Sequence, residues 1–124
     1  MQDTVFIRNL EISTLIGVYE YEREQKQRVI IDLEICADLR EAGSTDSLEA
    51  TIDYGAIVAL IESIAEGNNS MLLERFGQVI CDQVFENFSV SQLTLTLNKP
   101  DIINNASGVG VVLRRKRSNN QNEE

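Results

Sequence analysis

An α+β fold, a four-stranded antiparallel sheet with two helices on one face, is what this 124-residue chain predicts. Three observations carry the prediction. Two stretches alternate apolar and polar residues with the period of a half-buried strand, most clearly Val29, Ile31, Leu33, Ile35, Ala37 and Leu39 against Ile30, Asp32, Glu34, Cys36, Asp38 and Arg40. Two central segments place apolar residues at helical spacing. The order is strand, strand, helix, helix, strand, strand, which suits helices packed on one side of an antiparallel sheet.

The elements follow in turn. Residues 4–12 form a first strand, with Val5, Ile7 and Leu10 toward one side and a register break near Asn9. Gly17 permits a turn, and the polar stretch 20–27 leads into the second strand, expected over 29–40. A one-residue slip there would exchange its faces, so the register is fixed. Residues 43–47 have loop composition. Asp53 caps a helix over 54–66 whose stripe is Ile57, Leu60, Ile61 and Ile64, and Gly67 stops it. A second helix over 71–87 shows Leu72, Leu73, Phe76, Val79, Ile80 and Val84. A third strand covers 90–98 and a fourth 107–114. Gly108-Val109-Gly110 lacks the third glycine and following helix of a phosphate loop, so it belongs to that last strand, at a close backbone approach.

Composition narrows the function. A hydrophobic fraction of 43% and a charged fraction of 25% are those of an ordinary globular domain. No apolar run approaches a membrane span, and the N-terminus reads as a strand rather than a signal sequence, so the chain is expected to be cytoplasmic with no membrane partner. Cys36 and Cys81 lack metal-ligand spacing and no histidine assists them, so no metal is expected and both are read as packing thiols. The formal net charge is −9, and residues 114–124 carry four positive and two negative charges, leaving a still more acidic body. Such a body repels phosphate backbones, so nucleic acid is not expected as a partner. The basic cluster Arg114-Arg115-Lys116-Arg117 reads as part of a solvated terminus. A single domain is expected over 1–115, with a polar, disordered tail over 116–124.

Without histidine, acid/base chemistry falls to Lys, Tyr, Glu or Asp. Lys99 ends the alternating segment Leu93-Thr94-Leu95-Thr96-Leu97-Asn98 and precedes the only proline, Pro100, which stops a strand ladder because it has no N–H to donate. It is either a solvated edge lysine or an ammonium held at a fixed point on the sheet rim. Glu74 falls in the first turn of the second helix, where the helix dipole favours an anion. It is either a surface glutamate or a carboxylate able to grip a planar pair of N–H donors. Tyr54 is a core aromatic with its hydroxyl at the rim, or a stacking and proton-donating group. Glu22, in an acidic stretch, is by default solvated.

In order and spacing, Ile16-Gly17-Val18-Tyr19 with Glu22, Thr51-Ile52-Asp53-Tyr54, Leu72-Leu73-Glu74-Arg75, Leu97-Asn98-Lys99-Pro100 and Val109-Gly110-Val111 resemble the bacterial dihydroneopterin aldolases. The likeness runs from Val5 to about Leu113. It implies the tunnelling fold, in which rings of four subunits close their sheets into a barrel and two rings stack. That closure also removes the exposed edges that a small open sheet leaves. It implies a homo-oligomer with a pterin site between subunits, and retro-aldol cleavage of 7,8-dihydroneopterin without a cofactor or a lysine imine. The resemblance assigns ring binding to Glu74 and the Leu73 backbone. It brings the Ile52 backbone and the Tyr54 ring from the adjacent subunit, sets Glu22 on the hydroxylated side chain, and makes Lys99 the general acid/base, a role that desolvation would assist by lowering its pKa. Epimerisation at the second side-chain carbon can follow from the same intermediate. Two alternatives remain open: an epimerase of this fold acting on dihydroneopterin triphosphate, and a non-catalytic pterin-binding oligomer.

Overall fold

In the computed structural model, which describes residues 3–117, four strands form one antiparallel sheet in the order β1-β2-β3-β4. The strands are β1 Asp3–Thr14, β2 Gln27–Ala37, β3 Gln92–Lys99 and β4 Val109–Lys116; between β2 and β3 lie α1 Arg40–Thr45, α2 Tyr54–Glu66 and α3 Leu73–Asn87. Period-2 alternation explains the sheet. Val29, Ile31, Leu33 and Ile35 of β2 and Leu93, Leu95 and Leu97 of β3 are all buried, and they pair directly as Ile31 with Leu97, Leu33 with Leu95 and Ile35 with Leu93. Ile57, Ile61 and Ala65 of α2 and Leu73, Phe76, Ile80, Cys81 and Val84 of α3 complete this core from the helix side. The opposite face, with Phe6, Glu34 and Val112 exposed, has no helix over it.

The expected register break is real. Pairing of β1 with β2 shifts between Ile7 and Leu10, where Asn9 adopts φ 55° and donates its N–H to Asp32 Oδ1 at 2.6 Å. Asn visits the left-handed region more readily than most residues because its short polar side chain can hydrogen-bond locally, and the bulge is confined to this point. Strand β1 also runs to Thr14, beyond the expected end, because the Thr14 hydroxyl is buried and donates to the Ala65 carbonyl at 2.7 Å.

Several boundaries differ from the sequence expectation. β2 stops at Ala37 rather than Arg40, because Asp38 accepts the Arg40 N–H and grips its guanidinium at 2.7 Å, turning the chain into α1 where a loop was expected. That short helix closes at Asp46, whose left-handed φ of 60° lets its N–H reach the Ala42 carbonyl. α2 begins and ends as predicted, with Asp53 Oδ1 accepting the Ala56 N–H at 3.1 Å. α3 begins two residues late. Leu72, expected on its apolar stripe, is extended and exposed, and Met71, the expected first residue, is exposed as well. β4 continues through Lys116, and Arg117 donates to the Val90, Phe85 and Phe88 carbonyls, so ordered backbone passes the boundary expected at 115. The remainder of the expected tail, 118–124, lies outside the described residues. Cys81 is buried, which pushes its thiol up to about 11, whereas Cys36 is only half-buried. Among the described residues, no helix is long and apolar enough to cross a membrane.

Candidate active site

At the rim where β3 ends, Lys99 meets Glu22, which the connection between β1 and β2 brings to the same end of the sheet. The ammonium donates to Glu22 Oε2 at 2.6 Å, and the two side chains are 11% and 3% exposed, which removes both the solvated-lysine and the solvated-glutamate reading. Glu22 reaches this position because residues Glu20–Arg23 form a 3-10 turn, an element absent from the sequence reading. Its Oε1 accepts the Tyr19 N–H at 3.2 Å, and Gln27 Nε2 donates to Oε2 at 3.3 Å and to the Ile16 carbonyl at 2.7 Å. Gly17 lies directly over this carboxylate with φ 131°; a Cβ there would collide with the Glu22 side chain. Only glycine meets both demands.

Burial by itself raises the Glu22 carboxyl, but the Lys99 ammonium, the Tyr19 N–H and the Gln27 amide together outweigh it and hold the group below its ordinary value. Both oxygens of the buried Glu22 carboxylate are therefore hydrogen-bonded, and no described buried side-chain polar atom is left without a partner. A buried ion pair is poor evidence for stability, since desolvating both charges offsets their attraction. Its value is geometric: it fixes an ammonium and a proton acceptor side by side.

The pair borders a cavity of about 530 Å³. Glu74 stands at another part of the wall, in the first turn of α3, with Leu72 and Leu73 beside it; Val18, Ile102, Ile103, Val109 and Val111 make the rest mostly apolar. A largely apolar cleft with a few fixed polar groups is the usual form of a small-molecule site. Gly110 contributes backbone alone. Paired with Asn98, it sits where a Cβ would overlap the Leu97 carbonyl, the close approach expected for this glycine pair. Among the described residues, no group of three or more His, Cys, Asp or Glu side chains is arranged to hold a metal.

Of the residues singled out from sequence, Glu22, Leu73, Glu74 and Lys99 share this cavity. Ile52 and Tyr54 do not. Ile52 is half-buried beside Ala37, Asp38 and Ser89 in a separate depression of about 210 Å³, and Tyr54 is 65% exposed at the start of α2. Sequence reasoning missed Gln27, Arg23 and the aromatic Tyr19, which stacks on Tyr21 at 5.8 Å between ring centres. Their signal was present as polar and aromatic residues within five positions of Glu22, but nothing in a loop's composition says which side chains turn inward.

Comparison with known proteins follows the same pattern. The FolB (dihydroneopterin aldolase) family profile matches residues 5–114. The dihydroneopterin aldolase of Escherichia coli (strain K12) is 31% identical over 113 residues, spanning 91% of this chain and 93% of its own length. The crystal structure of the E. coli enzyme in complex with neopterin aligns with a TM-score of 0.88 at 31% identity, over 91% of this chain and 98% of that one. A Vibrio cholerae O1 biovar El Tor structure described as FolB aligns with a TM-score of 0.91 at 35% identity, covering 94% and 99%. The sheet order, the helix-covered core and the near-complete span of these matches place the chain in the dihydroneopterin aldolase family of lyases.

Proposed function

We propose that the Glu22–Lys99–Glu74 cavity binds the pterin ring of 7,8-dihydroneopterin and cleaves its side chain to 6-hydroxymethyl-7,8-dihydropterin and glycolaldehyde, a step of folate biosynthesis. The observation that carries this reading is the joint presence, in one cleft, of a hydrogen-bonded ammonium–carboxylate pair and a second carboxylate at a helix N-terminus. Neopterin bound by the E. coli relative supports a pterin as ligand.

Glu74 accepts hydrogen bonds from the 2-amino and ring N–H groups, a planar donor pair matched to a carboxylate, with Leu73 backbone alongside. Lys99, held by Glu22 and acting as the neutral amine once its ammonium proton has passed to water, takes the proton, through a water relay, from the hydroxyl on the second side-chain carbon. The bond between the first and second carbons breaks, glycolaldehyde leaves, and the electron pair moves into the ring C=N bond adjacent to the first carbon. Returning the proton to that first carbon completes 6-hydroxymethyl-7,8-dihydropterin. The substrate thus supplies the electron sink that a lysine imine provides in other aldolases. Re-addition to the other aldehyde face gives the 2′-epimer as a side product. Lys99 is the one cation among the described lining residues and is already paired, beside a second carboxylate, which favours the uncharged diol over a triphosphate.

Half of this site comes from a second subunit. The exposed edges β1 and β4 and the separation of Ile52 and Tyr54 from the Lys99 cavity support a ring of four subunits, or two stacked rings, with Ile52 backbone and the Tyr54 ring closing a neighbour's cleft. The enzyme works in the cytoplasm in this reading. Purified protein incubated with dihydroneopterin and, separately, with its triphosphate should release 6-hydroxymethyl-7,8-dihydropterin from the first only, and should run as a tetramer or octamer in light scattering. Exclusive epimerisation of the triphosphate, or an active monomer, would overturn the assignment.

A further inference from the structure

Arg23 follows Glu22 on the 3-10 turn, yet it is not among the residues lining the cavity. Its guanidinium instead ties three backbone carbonyls from two loops: Nη1 donates to Gly17 at 3.0 Å and to Ser70 at 3.1 Å, and Nη2 donates to Asn69 at 2.6 Å. The first loop supplies Gly17, Val18 and Tyr19 to one wall; the second delivers Met71, Leu72, Leu73 and Glu74 to the other. On the inner side the same two segments are tied once more, by Asn68 Nδ2 donating to the Leu15 carbonyl at 2.9 Å.

We infer that Arg23 is a positioning residue that sets the separation between the Glu22–Lys99 wall and the Glu74 wall, and so tunes how tightly the site holds its substrate. The inference rests on the pterin-cleaving reading of the cavity. A planar fork of fixed N–H donors can span three carbonyls at once, which a lysine ammonium on a flexible stem cannot do with the same geometry. Removing it frees the 69–72 segment on its outer side. The reacting end stays in place, because Gln27, the Tyr19 N–H and the β3 backbone hold Glu22 and Lys99 independently of Arg23. Misplacement then falls on the ring-binding end, and it reads out in substrate affinity rather than in the chemical step.

The test compares wild type, Arg23→Ala and Arg23→Lys in steady-state cleavage of 7,8-dihydroneopterin and in equilibrium titration with neopterin, after light scattering and thermal melts. Arg23→Ala is expected to raise KM and the neopterin Kd roughly ten-fold while kcat stays within about three-fold. Arg23→Lys should behave like Arg23→Ala, and guanidinium ion at tens of millimolar should restore most of the neopterin affinity of Arg23→Ala but not of wild type treated in parallel. Should Arg23→Ala fail to fold, Arg23→Gln replaces it, keeping a polar side chain with an N–H donor on a shorter stem but not the fork. Unchanged neopterin affinity in a folded variant overturns the inference. So does a kcat loss as large as the affinity loss, or a changed oligomeric mass. An inactive wild type would count against the aldolase reading instead, while the neopterin titration still decides the role of Arg23.

Discussion

The region around Lys99 and the region around Tyr54 carry residues of the same proposed site, but the fold treats them oppositely. Glu22 and Lys99 are drawn under cover from positions 77 residues apart and locked by hydrogen bonds. Tyr54 stands exposed in the first turn of α2, away from that cavity. One chain can bury an ion pair by closing its own sheet rim. It cannot bring Tyr54 to Lys99, because Tyr54 starts α2 next to Ile52 and the Ala37 end of β2, whereas Lys99 follows Asn98, which pairs with Ile30 toward the other end of that strand. In the proposed oligomer, a second copy of the chain supplies the complement to this half-site.

The largest test of this contrast is complementation. Lys99→Ala should lower kcat for cleavage and epimerisation by about 10²–10⁴-fold, the usual contribution of a positioned acid/base, with ring binding far less affected. Tyr54→Ala should be similarly impaired, and co-expressing the two variants should restore about a quarter of wild-type turnover, because random assembly leaves some sites with both halves intact. No recovery in a mixed oligomer would place both residues in one subunit's site. Lys99→Ala should also cost about 1–3 kcal/mol of stability in a denaturant titration by leaving Glu22 buried without its cation; a solvated lysine would change stability by under about 0.5 kcal/mol.

Glu74 sharpens the division between ring binding and proton transfer. Glu74→Gln presents an amide donor where the ring N–H needs an acceptor, and should weaken pterin binding by roughly 2–4 kcal/mol in calorimetry. Unchanged affinity would move the ring away from α3. Gly17→Ala probes the locked region directly. A left-handed backbone and a collision with Glu22 should lower stability by about 1–3 kcal/mol, with turnover falling as the carboxylate is displaced.

The smallest effect is a pH dependence confined to the locked region. The folded-state pKa of Glu22 lies below its ordinary value of 4.5, so the unfolded chain binds the proton first as pH falls. Its contribution is therefore complete above the ordinary value and is lost as pH drops through the lower folded one. Melting temperatures followed downward from pH 6 should decline more steeply for wild type than for Glu22→Gln once the pH falls below the ordinary value of 4.5. Parallel curves would mean that Glu22 does not feel Lys99. The Tyr54 region, with no such pair, should show no corresponding change in Tyr54→Ala.

What the sequence determined by itself is the layered fold and its register. Alternation along β2 and β3, the stripes of α2 and α3, the Asp53 cap and the break at Asn9 are all local signals, set by a side-chain period or a single backbone preference. Glu74 and Lys99 were also legible as candidates, because a helix first turn and a strand end are positions readable along the chain. Only the tertiary structure decided that Glu22 is buried rather than solvated, that Gln27 and the Tyr19 N–H brace it, and that Leu72 leaves its expected stripe for the cavity wall. Those outcomes depend on which loops meet at the sheet rim. A charge's burial is fixed by its partner, and the partner of Glu22 lies at the far end of the chain.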